Sequence, residues 1–187
     1  MLMCGPSGCG KTNTLMHMLY NLFYYDKIYL FSKNLPQPKY RKLLETFEPI
    51  SEEAGYDVIE ESNDEMIPLD GLDNDNQKIV IFDDFVFEKN QKPLVQYFIG
   101  GLHKNCSVIY LSQSYYLTPI LDSIALISVF FIALTLMRQP EYVEKSMSPK
   151  NKFSKATAEP YSFAYIDKIN KTIRKNLMKI YRDVRFS

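Results

Sequence analysis

The stretch GPSGCGKTNT occupies Gly5 to Thr14. Within it Gly5, Gly10, Lys11 and Thr12 satisfy the spacing glycine, four residues, Gly-Lys-Thr, between a short apolar run at Met1–Cys4 and a helical pattern through Leu15, Leu19 and Leu22. Glycines let backbone amides turn inward around phosphate oxygens, and a helix opening at the end of the loop adds the positive end of its dipole. The candidate nucleotide-binding residues are therefore Gly5, Pro6, Ser7, Gly8, Cys9, Gly10, Lys11 and Thr12. Lys11 would reach the β- and γ-phosphates of ATP, and the Thr12 hydroxyl would ligate magnesium.

A second stretch, KIVIFDDF, runs from Lys78 to Phe85. Four apolar residues, Ile79 to Phe82, predict a buried strand that presents Asp83 and Asp84 at its carboxyl end, where an open parallel sheet places its ligand site. Asp83 is the candidate magnesium ligand, and Asp84 the group that orients and deprotonates a water. A second acid directly after the metal ligand favours hydrolysis over transfer to a small acceptor. Gln113, following the predicted strand SVIYLSQ at Ser107–Gln113, is placed to contact the γ-phosphate or the attacking water.

Strand-like runs alternate with helical patterns along the chain, the sequence form of a parallel sheet with crossover helices. The expected strands are MLMC, KIYLFS at Lys27–Ser32, KIVIFDD, SVIYLSQ and part of Ile124–Met137. PKYRKLLETF, opened by Pro38, and KPLVQYFIGGLHK are expected as helices. Glu45 to Asp75 holds twelve acidic residues and no basic one, and is expected as an exposed segment or insertion. The run IALISVFFIALTLM, Ile124 to Met137, has 14 residues where a spanning helix needs about 20, and it is rich in β-branched and aromatic side chains. A buried strand is expected there, with no membrane span.

Of 187 residues, 46% are hydrophobic and 14% aromatic, enough for a sizeable core in one globular domain. The net charge is zero, yet residues 1–137 carry 10 basic and 17 acidic side chains and residues 138–187 carry 12 and 5. The tail is thus either a polyanion-facing surface or a solvated basic face balancing an acidic body. The expected division is an ATPase core over 1–137 and a basic extension over 138–187, with a linker about 145–160, a hairpin about 161–175 and a short helix to the end. Three cysteines without a paired framework point to a reducing compartment, and no signal peptide is expected. His17 and His103 have no companion at ligand spacing. Cys9 is either an oxidisable thiol or a small filler.

The run HKNCSVIYLSQSYYLTP, His103 to Pro119, taken with GPSGCGKT and IVIFDD, resembles the poxvirus-type genome-packaging ATPases of large DNA viruses, virophages and Polinton-like elements, which belong to the FtsK/HerA superfamily. The resemblance covers Met1 to about Met137. It implies an additional-strand P-loop fold of class α/β, ATP hydrolysis with magnesium, assembly into a homo-oligomeric ring, and translocation of double-stranded DNA into a capsid in the host cytoplasm or virus factory. The family's phosphate-binding Lys falls on Lys11, its magnesium-side hydroxyl on Thr12, its acidic pair on Asp83 and Asp84, and its sensor Gln on Gln113. Where family members carry Gly-Arg-His before the fourth strand, this chain has Gly101-Leu102-His103; if that Arg serves a neighbouring subunit, this chain lacks it or uses another, with Arg138 the candidate.

Two further functions fit the same motifs. A nucleotide-gated interaction subunit would bind ATP and capsid proteins but hydrolyse poorly, a role that Leu102 in place of Arg suits. A small-molecule or nucleotide kinase would transfer phosphate without DNA stimulation, and the acidic pair and Gln113 speak against it. For DNA contact the candidates are Lys168, Lys171, Arg174, Lys175 and Lys179.

Overall fold

A computed structural model describes residues 1–54, 59–62, 66–83, 92–113, 125, 127–131, 163–170, 172–175 and 179–181. Along the chain these form β1 (Leu2–Cys4), α1 (Lys11–Asn21), β2 (Lys27–Ser32), α2 (Pro38–Ala54), β3 (Ile59–Ser62), β4 (Lys78–Asp83), α3 (Lys92–Gly100), β5 (Cys106–Ser112), β6 (Ile127–Phe131), β7 (Phe163–Asp167), β8 (Thr172–Lys175) and β9 (Lys179–Tyr181). Short 3₁₀ turns occupy Leu69–Gly71 and Gly101–Lys104. The chain divides into two compact units, Thr12–Leu111 and Met1–Lys11 with Ser112–Ser187.

Thr12–Leu111 is a parallel sheet flanked by helices, with strand order β3-β2-β4-β5. The central strand β4 is buried along its whole length, which explains why four successive apolar residues are needed between Lys78 and Asp83. Phe31 of β2 stacks on Phe82 at 5.2 Å between ring centroids, and Tyr97 of α3 meets the same ring edge-on at 5.3 Å. Each such burial contributes about 1.5–3 kcal/mol. Tyr40, Leu43 and Phe47 of α2 are all buried, at the spacing that puts them on one face of a helix.

The acidic stretch from Glu45, expected as an exposed segment or insertion, exposes its acids at Glu45, Glu48, Glu52, Glu53, Asp70, Asp73 and Asp75, yet carries regular structure. Its first ten residues complete α2, which continues past Pro49, and Ile59–Ser62 pair in parallel with β2, Ile28 opposite Ile59. The acidic sequence IEES suits an outermost strand, where charge discourages further pairing. The stretch is also tied down at its end. Lys78, with a fully buried side chain, places its ammonium 2.7 Å from the Asp73 carboxylate and donates to the carbonyl of Asn76, while Lys104 donates to the carbonyl of Leu72 at 3.0 Å.

In the other unit β1 pairs in parallel with β6, Leu2 opposite Ser128, and β6 to β9 continue antiparallel. The apolar run Ile124–Met137 thus supplies strand β6, and among the described residues no helix is long and apolar enough to cross a membrane. The expected terminal hairpin is β7–β8. Its turn is closed by the Asp167 carboxylate, which accepts from the Asn170 amide at 2.9 Å and from its side-chain nitrogen at 2.8 Å. Beyond it, where a short helix was expected, Lys179–Tyr181 form strand β9 paired to β8. A free β8 edge offers its backbone groups to the chain that follows, and that pairing outweighs helix propensity over so short a run. The expected linker about 145–160 lies outside the described residues.

Candidate nucleotide site

The phosphate-loop candidates form one tight group. Buried β1 delivers the chain to Gly5, whose amide donates to the carbonyl of Ser112 at 3.1 Å. The loop then turns on itself, with Cys9 N donating to Pro6 O at 3.4 Å. Gly8 and Gly10 sit at φ 76° and 104°, backbone that only glycine adopts without strain. Lys11 is 8% exposed, and its ammonium donates to the carbonyls of Gly5 at 2.6 Å and Pro6 at 3.0 Å, with the Cys9 sulfur at 4.0 Å. Among the described residues its acceptors are neutral, and a buried ammonium so placed is well matched to the anionic oxygens of a phosphate.

Thr12 follows in the first turn of α1, a turn with no acidic residue to cancel the positive end of the helix dipole. Burial raises the Cys9 thiol above its usual range, against the opposing pull of Lys11. Cys9 is therefore held as the thiol, which fits a filler better than a reactive thiolate.

A second group surrounds Asp83, the last residue of β4, which is 7% exposed. The Tyr40 hydroxyl donates to Asp83 Oδ2 at 2.6 Å, and Gln37 Nε2 lies 3.4 Å from the same oxygen. Ser32, buried at the end of β2, is the register partner of Asp83. Tyr40 and Gln37 were not expected. Tyr40 reads in sequence as one more core residue of α2, and its partner lies 43 residues away.

Gln113 comes directly after β5 and is exposed, one residue beyond the carbonyl that accepts from Gly5. Asp84 and Arg138 lie outside the described residues. Leu102 is 82% exposed, with Ile99 of α3 at 65%. His17 and His103 are both exposed, the former beside Asn21. In the tail, the Arg174 guanidinium lies 5.7 Å from the Tyr165 ring, so it packs the hairpin as well as charging it. Lys168 and Lys175 are half-buried, and Lys171 lies outside the described residues.

A magnesium ion suits the donors present. A hydroxyl at Thr12 and a carboxylate at Asp83 are hard oxygen ligands, and magnesium characteristically takes one or two of these and completes its shell with water and phosphate.

No family model and no curated protein matches the sequence. Solved structures do. B204, the DNA-packaging ATPase of Sulfolobus turreted icosahedral virus, is similar at a TM-score of 0.64 and 15% identity over 98% of this chain and 97% of its own. The genome packaging NTPase B204 of Sulfolobus turreted icosahedral virus 2, in complex with AMPPCP, gives 0.61 and 14% over 94% and 95%. ATPases 2 and 3 of EssC from Geobacillus thermodenitrificans give 0.54 and 14% over all of this chain and 40% of that one. With both unit architectures and the Gly5–Lys11 loop in place, the chain adopts the P-loop ATPase fold of the viral genome-packaging NTPases and the EssC ATPases.

Proposed function

We propose that the chain is an ATP-hydrolysing motor that drives double-stranded DNA into a capsid. The observation that carries this is the built phosphate loop, with Lys11 buried among its carbonyls, in a chain that matches a viral packaging ATPase almost end to end. In this reading the Gly5–Lys11 loop holds the phosphates and the ammonium of Lys11 exchanges its carbonyl partners for β- and γ-oxygens. Thr12 and Asp83 would hold magnesium, which when bound would neutralise charge on the phosphates. Asp84 takes the proton of the attacking water, and Gln113 orients that water. The amide of Gly5 couples the loop to Ser112, so a change at Gln113 is passed on without a long relay.

Subunits assemble as a ring in the host cytoplasm or virus factory and engage capsid proteins, and the basic tail meets DNA through its phosphates, independent of sequence. The exposed Leu102 favours one second reading. A nucleotide-gated subunit that lacks its own arginine finger would bind ATP and turn it over only beside an Arg-bearing partner.

Steady-state ATP hydrolysis with magnesium, with and without long double-stranded DNA, decides between them. DNA stimulation that Lys11→Ala and Asp84→Asn both abolish, and that falls steeply with salt, is the expected result. ATP binding without turnover under either condition would remove the motor in favour of the gated subunit.

A further inference from the structure

The hydrogen bonds at Asp83 carry an inference about helix α2, resting on the proposed magnesium role of that carboxylate. Tyr40 is fully buried, and its hydroxyl donates to a charged acceptor, Asp83 Oδ2, at 2.6 Å. Gln37, one turn earlier, approaches the same oxygen, Oδ2. Both bonds thus converge on one side of the carboxylate and fix its rotation about the side-chain axis. A buried phenol needs a partner, but a backbone carbonyl would serve for stability alone, as the carbonyl of Ile67 does for the buried Tyr97. The Tyr40 hydroxyl instead meets the acid that ends the central strand at the ligand edge of the sheet. Carboxylates that bind metal are held in just this way by outer hydrogen-bond donors.

We infer that Tyr40, supported by Gln37, is a positioning residue that sets the orientation of the Asp83 carboxylate toward magnesium, so that the first turn of α2 and the residue before it determine how strongly the site holds the metal–nucleotide complex. Tyr40→Phe keeps the ring in its packing and removes only the hydroxyl. The measurement is equilibrium binding of a fluorescent ATP analogue to the full chain, titrated with magnesium, alongside thermal unfolding of each variant.

Metal-free analogue should bind Tyr40→Phe as it binds the wild type, while the magnesium concentration for half-maximal tight binding rises about tenfold. Gln37→Ala, on the less buried member of the pair, should shift in the same direction by less. An unchanged magnesium requirement in both variants would overturn the inference, whatever happens to the unfolding temperature, because a purely structural bond moves stability and not metal demand. Wild-type binding that ignores magnesium would overturn it together with the metal role of Asp83. Magnesium-dependent binding without ATP turnover would remove the motor while leaving the Tyr40 assignment to be decided by the titration itself.

Discussion

The amide of Gly5 donates to the carbonyl of Ser112 at 3.1 Å, which puts the residue that opens the phosphate loop one hydrogen bond from the residue that precedes Gln113. A side chain at position 113 is therefore carried on backbone that the loop itself holds. In the proposed role of orienting water, which acts in the transition state, Gln113→Ala should leave the dissociation constant for ATP within about twofold and lower kcat at least about tenfold. Single-turnover hydrolysis alongside equilibrium ATP binding checks this, and equal losses in both would place Gln113 in binding instead.

Lys11 gives the opposite pattern. Its ammonium makes charge-assisted bonds worth about 1.5–3 kcal/mol each to whatever oxygens it meets. Lys11→Ala should weaken ATP binding about 10- to 100-fold, read by calorimetry. Lys11→Arg should restore the charge and not the affinity, because a planar guanidinium does not fit where an ammonium sits between the Gly5 and Pro6 carbonyls.

Gly8 isolates backbone strain from crowding. At φ 76° an added methyl group meets nothing within 4 Å, so the cost of Gly8→Ala is conformational alone. Stability should fall by about 1–2 kcal/mol in denaturant unfolding. A neutral result would mean that the loop leaves this conformation freely.

Asp73 and Lys78 set a pH dependence. The hydrogen bond from Lys78 holds the Asp73 carboxyl below its ordinary value of 3.8. A depressed folded-state value contributes stability that is present above the unfolded value and lost as pH falls through the folded one. The Asp73 side chain is 43% exposed, so solvent screening limits the contribution to about 1 kcal/mol or less. Asp73→Asn should lower stability by that amount at pH 7 and match the wild type once the pH has fallen through the folded-state value. A constant gap across that range would assign the loss to packing.

Arg174 and Lys175 test the proposed DNA contact. Replacing either with Ala should reduce the slope of log affinity against log salt by about 0.9 for each phosphate contact removed. Arg174→Ala should also lower the stability of the hairpin, because its guanidinium lies over the Tyr165 ring.

Much of the phosphate loop and the central strand was legible in the sequence, because both depend on residue type at fixed spacing. Gly-Lys-Thr marks the loop wherever it lies, and four apolar residues before Asp83 admit little except a buried strand. Strand β3 was hidden because IEES has no strand character of its own and pairs only because β2 presents an edge to it. Strand β9 was hidden because its three residues, KIY, are too short a run to announce a strand without β8 as the template. Tyr40 was missed on different grounds. Its spacing with Leu43 and Phe47 accounts for it fully as a core residue, and nothing local reports that its hydroxyl meets an acid 43 positions away.

Strand β4 runs flush with both neighbours, from Lys27–Lys78–Cys106 at one end to Ser32–Asp83–Leu111 at the other. Deleting or inserting one residue inside it would exchange the two faces of the strand and turn the terminal carboxylate away from its present side. In descendants of this gene, length changes should therefore be purged from positions 78 to 83 and collect in the connections on either side, so that a lineage would change its loops many times before it altered this strand by one codon.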